Sequence, residues 1–96
     1  MIDFGMDPQT ALDMPRFCVG PGHLCAIGPV SLEEGISENV IEDLEKLGHA
    51  INGPVFGFDR SLFGRGQILE IRRDKEGQDV IWAGSDPRGD GCAIGY

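Results

Sequence analysis

The sequence predicts an α+β fold, a small antiparallel sheet with two helices, and three observations carry that reading. Residues 37–47 form an amphipathic run with a capping residue before it and a glycine after it. Asp7-Pro8 opens a second, shorter helical segment. The C-terminal half holds two segments rich in Ile, Val, Leu and Trp on either side of a short polar turn, the pattern of a hairpin. With 96 residues and no internal repeat, residues 1–96 read as a single domain. A chain of this length buries only about 60–65% of the surface its unfolded form exposes, so its core is thin.

Each element has a local cause. Met1-Ile2-Asp3-Phe4-Gly5 reads as the last turn of a longer helix, with Gly5 as its stop. A single terminal turn has little stability of its own, so the sequence leads us to expect chain upstream of residue 1. Asp7 then stands as N-cap and Pro8 as N1, where the missing proline N–H costs nothing. That helix runs over Pro8–Asp13, because Pro15 pushes Met14 out of helical geometry. Residues 18–29 hold the Gly20-Pro21-Gly22 cluster and Gly28-Pro29, which predicts a loop with a short strand at 23–26. A further strand follows at Val30–Glu33.

The helix over residues 37–47 has Ser37 to cap its first turn and Glu38 where the dipole favours negative charge. Ile36 and Ile41 occupy staple positions, and Val40, Ile41, Leu44 and Leu47 make the apolar stripe. Gly48 supplies a left-handed stop. Residues 49–55 suggest a strand before a glycine-rich loop at 57–66. Strands at Gln67–Arg73 and 79–83 flank Asp74-Lys75-Glu76-Gly77, with Gly77 the candidate for positive φ.

Composition narrows the function classes. Sixteen acidic residues against eight basic ones give a net charge of −8, which argues against a nucleic-acid or anionic membrane partner. Apolar runs are too short for a bilayer span. The opening ten residues carry two acids and no Lys or Arg, unlike a secretory signal, so the chain as given reads as soluble and cytoplasmic. Cys18, Cys25 and Cys92 are an odd set, which favours reduced thiols over a disulfide framework. A pair involving Cys92 under oxidation stays open.

Several motifs have a chemical reading and a plainer one. Cys18, His23 and Cys25 offer zinc donors, but the C-x4-H-x-C spacing lacks the usual close pair and needs Cys92 or His49 as a distant fourth ligand. Gly64-Arg65-Gly66 lacks the third glycine and the following helix of a phosphate loop. Arg60, Arg65, Arg72 and Arg73 either meet a small anion or neutralise the acidic helix. Arg88-Gly89-Asp90 spells a receptor-binding tripeptide and reads as turn chemistry. Ser31, Ser37, Ser61 and Ser85 stand outside any recognisable nucleophile motif, and the sole threonine, Thr10, sits in the first helix.

Four blocks taken together are more specific: IDFGMDPQTALDMPRF, ISENVIEDLEKLGH, GFDRSLFGRGQIL and AGSDPRGDGCAIGY. In this order the chain resembles the C-terminal end of the small subunit of gamma-glutamyltranspeptidases. Its sharpest pieces are Ala11-Leu12-Asp13 running to Pro15-Arg16-Phe17, and Gly84-Ser85-Asp86-Pro87-Arg88 running to Gly95-Tyr96.

The resemblance implies an N-terminal-nucleophile hydrolase, with an αββα sandwich made from a self-cleaving precursor. It also implies a threonine nucleophile that attacks gamma-glutamyl amides such as glutathione, passing the acyl group to water or an amino acid. No metal or organic cofactor is implied. The family's nucleophile, glutamyl-holding residues and oxyanion-hole glycines lie upstream of the matched region, so no catalytic, cofactor or metal residue carries over.

We therefore expect a fragment inactive alone, partnered by the remainder of such a chain. A different expectation is a free-standing, non-enzymatic module whose apolar surface on Ile2, Phe4, Met6 and the hairpin is covered by self-association through a sheet edge or the helix stripe. Because many enzymes of the resembled family are exported, a longer precursor leaves a periplasmic or secreted compartment open. Asp86 and Arg88 are expected to close the turn after the last strand, and Arg16 to anchor the loop after the first helix.

Overall fold

A computed structural model describes residues 1–20 and 28–95. In chain order the elements are α1 (Pro8–Asp13), β1 (Phe17–Val19), β2 (Val30–Glu33), α2 (Glu38–Lys46), β3 (Ile51–Val55), a 3-10 segment (Gly57–Phe63), β4 (Gln67–Arg73) and β5 (Asp79–Ser85). The expected strand at 23–26 lies outside the described residues. Contacts divide the chain into two compact units, one of residues 1–14 with 65–96 and one of residues 15–64.

The first unit is a β-hairpin with a short helix against it. Gly5 N–H donates to the Met1 carbonyl at 2.7 Å and Gly5 has a φ of 64°, so the opening residues form the glycine-ended turn read from the sequence. Asp7 caps α1 as expected, its Oδ1 accepting from the Thr10 N–H at 2.9 Å. β4 and β5 pair antiparallel, with Leu69 opposite Ala83 and Ile71 opposite Ile81. The turn between them is held by Asp74, whose Oδ1 accepts from the Glu76 and Gln78 N–H groups at 2.9 and 2.8 Å. Gly77 takes a φ of 84° there, a conformation open to glycine at little cost. β5 runs two residues beyond the predicted end at Ala83, through Gly84 and Ser85.

Pairing of the hairpin separates its side chains into two faces. Gly84 points toward α1, where a Cβ would stand 2.8 Å from the Pro8 carbonyl carbon and 2.9 Å from the Gln9 nitrogen. Leu12 of α1 is buried. Nearer the turn on the same face, Arg72 lies over the Trp82 ring at 4.6 Å and donates to Glu70 Oε2 at 2.8 Å.

The second unit is a three-stranded sheet in the order β1-β2-β3 with α2 connecting its last two strands. β1 runs antiparallel to β2, but β2 and β3 are parallel, so this sheet is mixed. The expected small antiparallel sheet is present in β4–β5, and the departure lies in β2–β3: α2 returns the chain to the end where β2 began, so β3 enters in the same direction. A bulge between Ser31 and Glu33 brings Leu32 and Glu33, adjacent in sequence, both into buried positions.

Helix α2 starts and stops near the predicted points. Ser37 occupies the N-cap but its side chain makes no capping bond, contrary to expectation; the first turn is closed by its carbonyl, which accepts from Val40 and Ile41. Gly48, at a φ of 92°, ends the helix as read. None of its residues is buried, and Val40 is 47% exposed. Among the described residues, no helix is long and apolar enough to cross a membrane.

Candidate functional site

The most buried chemistry lies in two polar junctions, one in each unit. In the first unit Asp86 follows β5 directly, and its carboxylate is 1% exposed. Oδ2 accepts from the Gly66 N–H at 2.8 Å, while Asp86 N–H donates to the Gly66 carbonyl at 3.2 Å. Oδ1 accepts from the Arg88 N–H at 3.0 Å and from Arg88 Nη1 at 3.1 Å. The Asp side chain thus turns the chain two residues on, and Pro87 at the outside of the turn suits that geometry.

The Arg88 guanidinium continues into α1. Nη1 donates to the Leu12 carbonyl at 2.8 Å and Nη2 to the Met14 carbonyl at 3.0 Å. Carbonyls at the end of a helix lack partners within it and carry partial negative charge, so a cation here satisfies both demands. Gln9 makes a second tie: Nε2 donates to the Ser85 carbonyl at 3.0 Å, and Ser85 N–H donates to Oε1 at 3.1 Å. Ser85 Oγ accepts from Gln67 Nε2 at 2.9 Å, so this serine is held within the strand end.

In the second unit the corresponding buried charge is Glu33, 1% exposed. Its Oε1 accepts from Arg60 Nε at 2.6 Å and its Oε2 from the Arg16 N–H at 2.9 Å. The Arg16 carbonyl accepts from Glu33 N–H at 3.0 Å, and Arg16 Nη1 donates to the Gly64 carbonyl at 3.2 Å. Pro15 sits against Gly35, whose added Cβ would lie 3.6 Å from the ring, while Phe17 begins β1 and is 69% exposed.

The structure therefore brings Gly84, Ser85, Asp86 and Arg88 into one cluster with α1, and Arg16 into another with Glu33. Pro87 and Phe17 stay at the surface. Neither Glu33 nor Gln9 stood out in the sequence. Glu33 ends a short strand beside a second acid, and only the bulge turns it inward.

The four arginines expected near an anion or the acidic helix meet other partners. Arg60 pairs with Glu33 on β2, Arg72 with Glu70, and Arg73 with Asp79 at 3.3 Å. Arg65 lies against Gly89, where a Cβ would stand 3.2 Å from its Cδ. Strand registry explains the Arg73 pair, since Arg73 is directly opposite Asp79, while Arg72 and Glu70 share one face of β4 two residues apart. The Arg88-Gly89-Asp90 tripeptide is a turn with the Arg88 side chain fully inside.

Nucleophile candidates are dispersed. Thr10 Oγ1 donates to Asp7 Oδ2 at 2.6 Å, and that bond is the leading cause holding the Asp7 carboxyl below its ordinary value. Ser31 Oγ accepts from Asn52 at 3.2 Å, and Ser37 and Ser61 are exposed. Cys18 is half-buried in β1 and Cys92 is exposed. His23 and Cys25, two of the candidate zinc donors, lie outside the described residues. Among the described residues, no three His, Cys, Asp or Glu side chains cluster to hold a metal ion.

The family model for gamma-glutamyltranspeptidase matches residues 1–96. The chain belongs to the gamma-glutamyltranspeptidase family. It is 35% identical over 95 residues to the glutathione hydrolase-like YwrD proenzyme of Bacillus subtilis (strain 168), covering 99% of this chain and 17% of that protein. Among solved structures it is similar to a cephalosporin acylase from Bacillus halodurans, with a TM-score of 0.69, 35% identity, and coverage of 99% of this chain and 16% of the other. The chain thus spans about a sixth of the length of these two proteins.

Proposed function

We propose that this chain forms the C-terminal segment of the small subunit of a gamma-glutamyltranspeptidase-like enzyme, and that it is inactive by itself. The observation that carries the reading is the state of Thr10. A threonine nucleophile at a new N-terminus is activated by its own free amine. Thr10 is the one threonine of the chain, its backbone nitrogen lies within α1, and its hydroxyl is committed to Asp7. The activating amine is missing here, because the Thr10 nitrogen is a peptide N–H that donates to Asp7.

The complete enzyme's reaction would be attack on a gamma-glutamyl amide, with glutathione as the type substrate. An acyl-enzyme would form and pass its acyl group to water or an amino acid. This chain's part is architectural. Arg88 and Asp86 fix α1 to the end of the hairpin, and Glu33 with Arg16 and Arg60 fixes the start of β1 within its sheet. The remainder of the enzyme is its partner.

A self-associating module is the second reading, favoured by Ile2 at 99% and Phe4 at 81% exposure. One experiment separates the two: light scattering on the purified chain, with a gamma-glutamyl anilide assay on the same sample. The expected result is no release of the aniline above the buffer rate and no discrete oligomer. Turnover by the chain alone overturns the architectural reading, and a persistent compact dimer without turnover favours the module.

A further inference from the structure

The two faces of the β4–β5 hairpin are covered unequally. On the face carrying Gly84, Trp82 and Arg72, α1 packs at one end and the Arg72–Trp82 stack shields the other. On the opposite face the tail meets one end, with Gly91 against Ser85 and Gln67, and the side chains nearer the centre stay exposed. That face carries Leu69 and Ile71 of β4 opposite Ala83 and Ile81 of β5, and the tail residue Ile94 lies beside it. Leu69 is 75% exposed, Ile71 68%, Ile81 67% and Ile94 81%. An open groove of about 620 Å³ runs between this face and the tail. Contiguous exposed apolar side chains, in contrast to single ones, point to an interaction site.

Resting on the reading above, we propose that this outer face, centred on Ile71 and Ile81, is the surface on which the rest of a gamma-glutamyltranspeptidase-like polypeptide docks. Two observations select that occupant. The relatives sharing this fold are about six times longer, so most of their apolar surface comes from chain that this sequence does not match. The chain's net charge of −8 also sets one copy against another, which disfavours self-association. Charge in the hairpin is concentrated toward its turn, at Arg73, Asp74, Lys75, Glu76 and Asp79, leaving the centre of the face apolar. That is the division between a dry centre and a polar rim found in specific interfaces.

Thiol protection tests the surface directly. In a chain with Cys18→Ser, Cys25→Ser and Cys92→Ser, Ile71→Cys reports on the docking face and Lys75→Cys on the exposed turn. Maleimide labelling is compared between the free chain and a chimera in which residues 1–96 replace the matched segment of the Bacillus subtilis proenzyme. We expect at least tenfold slower labelling of Ile71→Cys in the chimera, with Lys75→Cys labelled equally fast in both. Fast labelling of Ile71→Cys in a chimera that turns over gamma-glutamyl anilide overturns the docking surface and leaves the family role standing. Protection at Ile71→Cys in a folded chimera without turnover supports the surface and counts against the enzymatic role. Protection already present in the free chain, with a doubled mass, assigns the face to a second copy and overturns the proposal. Fast labelling at both positions without turnover counts against both readings.

Discussion

Arg88 reaches the carbonyl of Leu12 at 2.8 Å across a sequence separation of 76 residues, and so closes the first helix of the chain from near its other end. The same guanidinium meets Asp86 at 3.1 Å with both side chains inside the fold. A six-residue helix has too few internal bonds to persist by itself, so its last carbonyls depend on what docks there.

Replacing Arg88 with alanine removes the donors to Leu12 and Met14 and leaves the Asp86 charge buried without the guanidinium. Breaking a buried pair from one side costs about 3–5 kcal/mol. The expected outcome for Arg88→Ala is a large fall in the denaturant midpoint, read by circular dichroism. Arg88→Lys keeps the charge but loses the two-pronged contact to the carbonyls, and should recover only part of that loss. An unchanged midpoint in Arg88→Ala means that the junction contributes nothing to stability.

Close approach of β5 to α1 leaves no room for a methyl group at Gly84, whose Cβ would meet backbone atoms of Pro8 and Gln9 inside 3 Å. Gly84→Ala must push the helix outward and stretch the Gln9–Ser85 contacts, at a cost of about 1–3 kcal/mol. Gly95→Ala is the comparison, since nothing lies within 4 Å of its Cβ position. That variant is expected to unfold with the parent chain, and equal midpoints for the two variants would refute the packing argument.

Acid should loosen the start of α1. The Asp7 carboxyl is held below the ordinary aspartate range, first because the Thr10 hydroxyl donates to it and second because the Thr10 N–H does. A depressed folded-state value means that its stabilisation is fully present above the unfolded value and lost as pH falls through the folded one. Carbon-detected NMR titration should place the Asp7 midpoint below that of an aspartate in an unfolded chain. Thr10→Val removes the leading cause, so the Asp7 midpoint should rise in that variant; an unmoved midpoint would mean the hydroxyl bond does not form in solution.

Elements governed by neighbours in sequence were legible in the sequence. Asp7 and Pro8 fix the start of α1, Gly48 ends α2, and Asp74 with Gly77 sets the hairpin turn. What escaped was non-local. β1 is three residues long beside the Gly20-Pro21-Gly22 cluster, and it is a strand only because β2 lies opposite it. The glycine-rich region after Val55 reads as loop, yet residues 57–63 wind into a 3-10 segment that places Arg60 on Glu33. Arg88 and Asp86 stood out through the motif in which they sit. Their partners Leu12, Met14 and Gly66 could not be read, because a carbonyl or an N–H leaves no mark in a sequence.

The pairing of Gln9 with Ser85 has a consequence beyond holding a helix in place. Both main-chain groups of Ser85 are taken by one side-chain amide, which fills the position a neighbouring strand's peptide would occupy. An open strand edge invites stacking between molecules, the first step toward insoluble aggregates. A single glutamine thus serves as a stopper at this end of β5, denying incoming strands the last rung on which growth could begin.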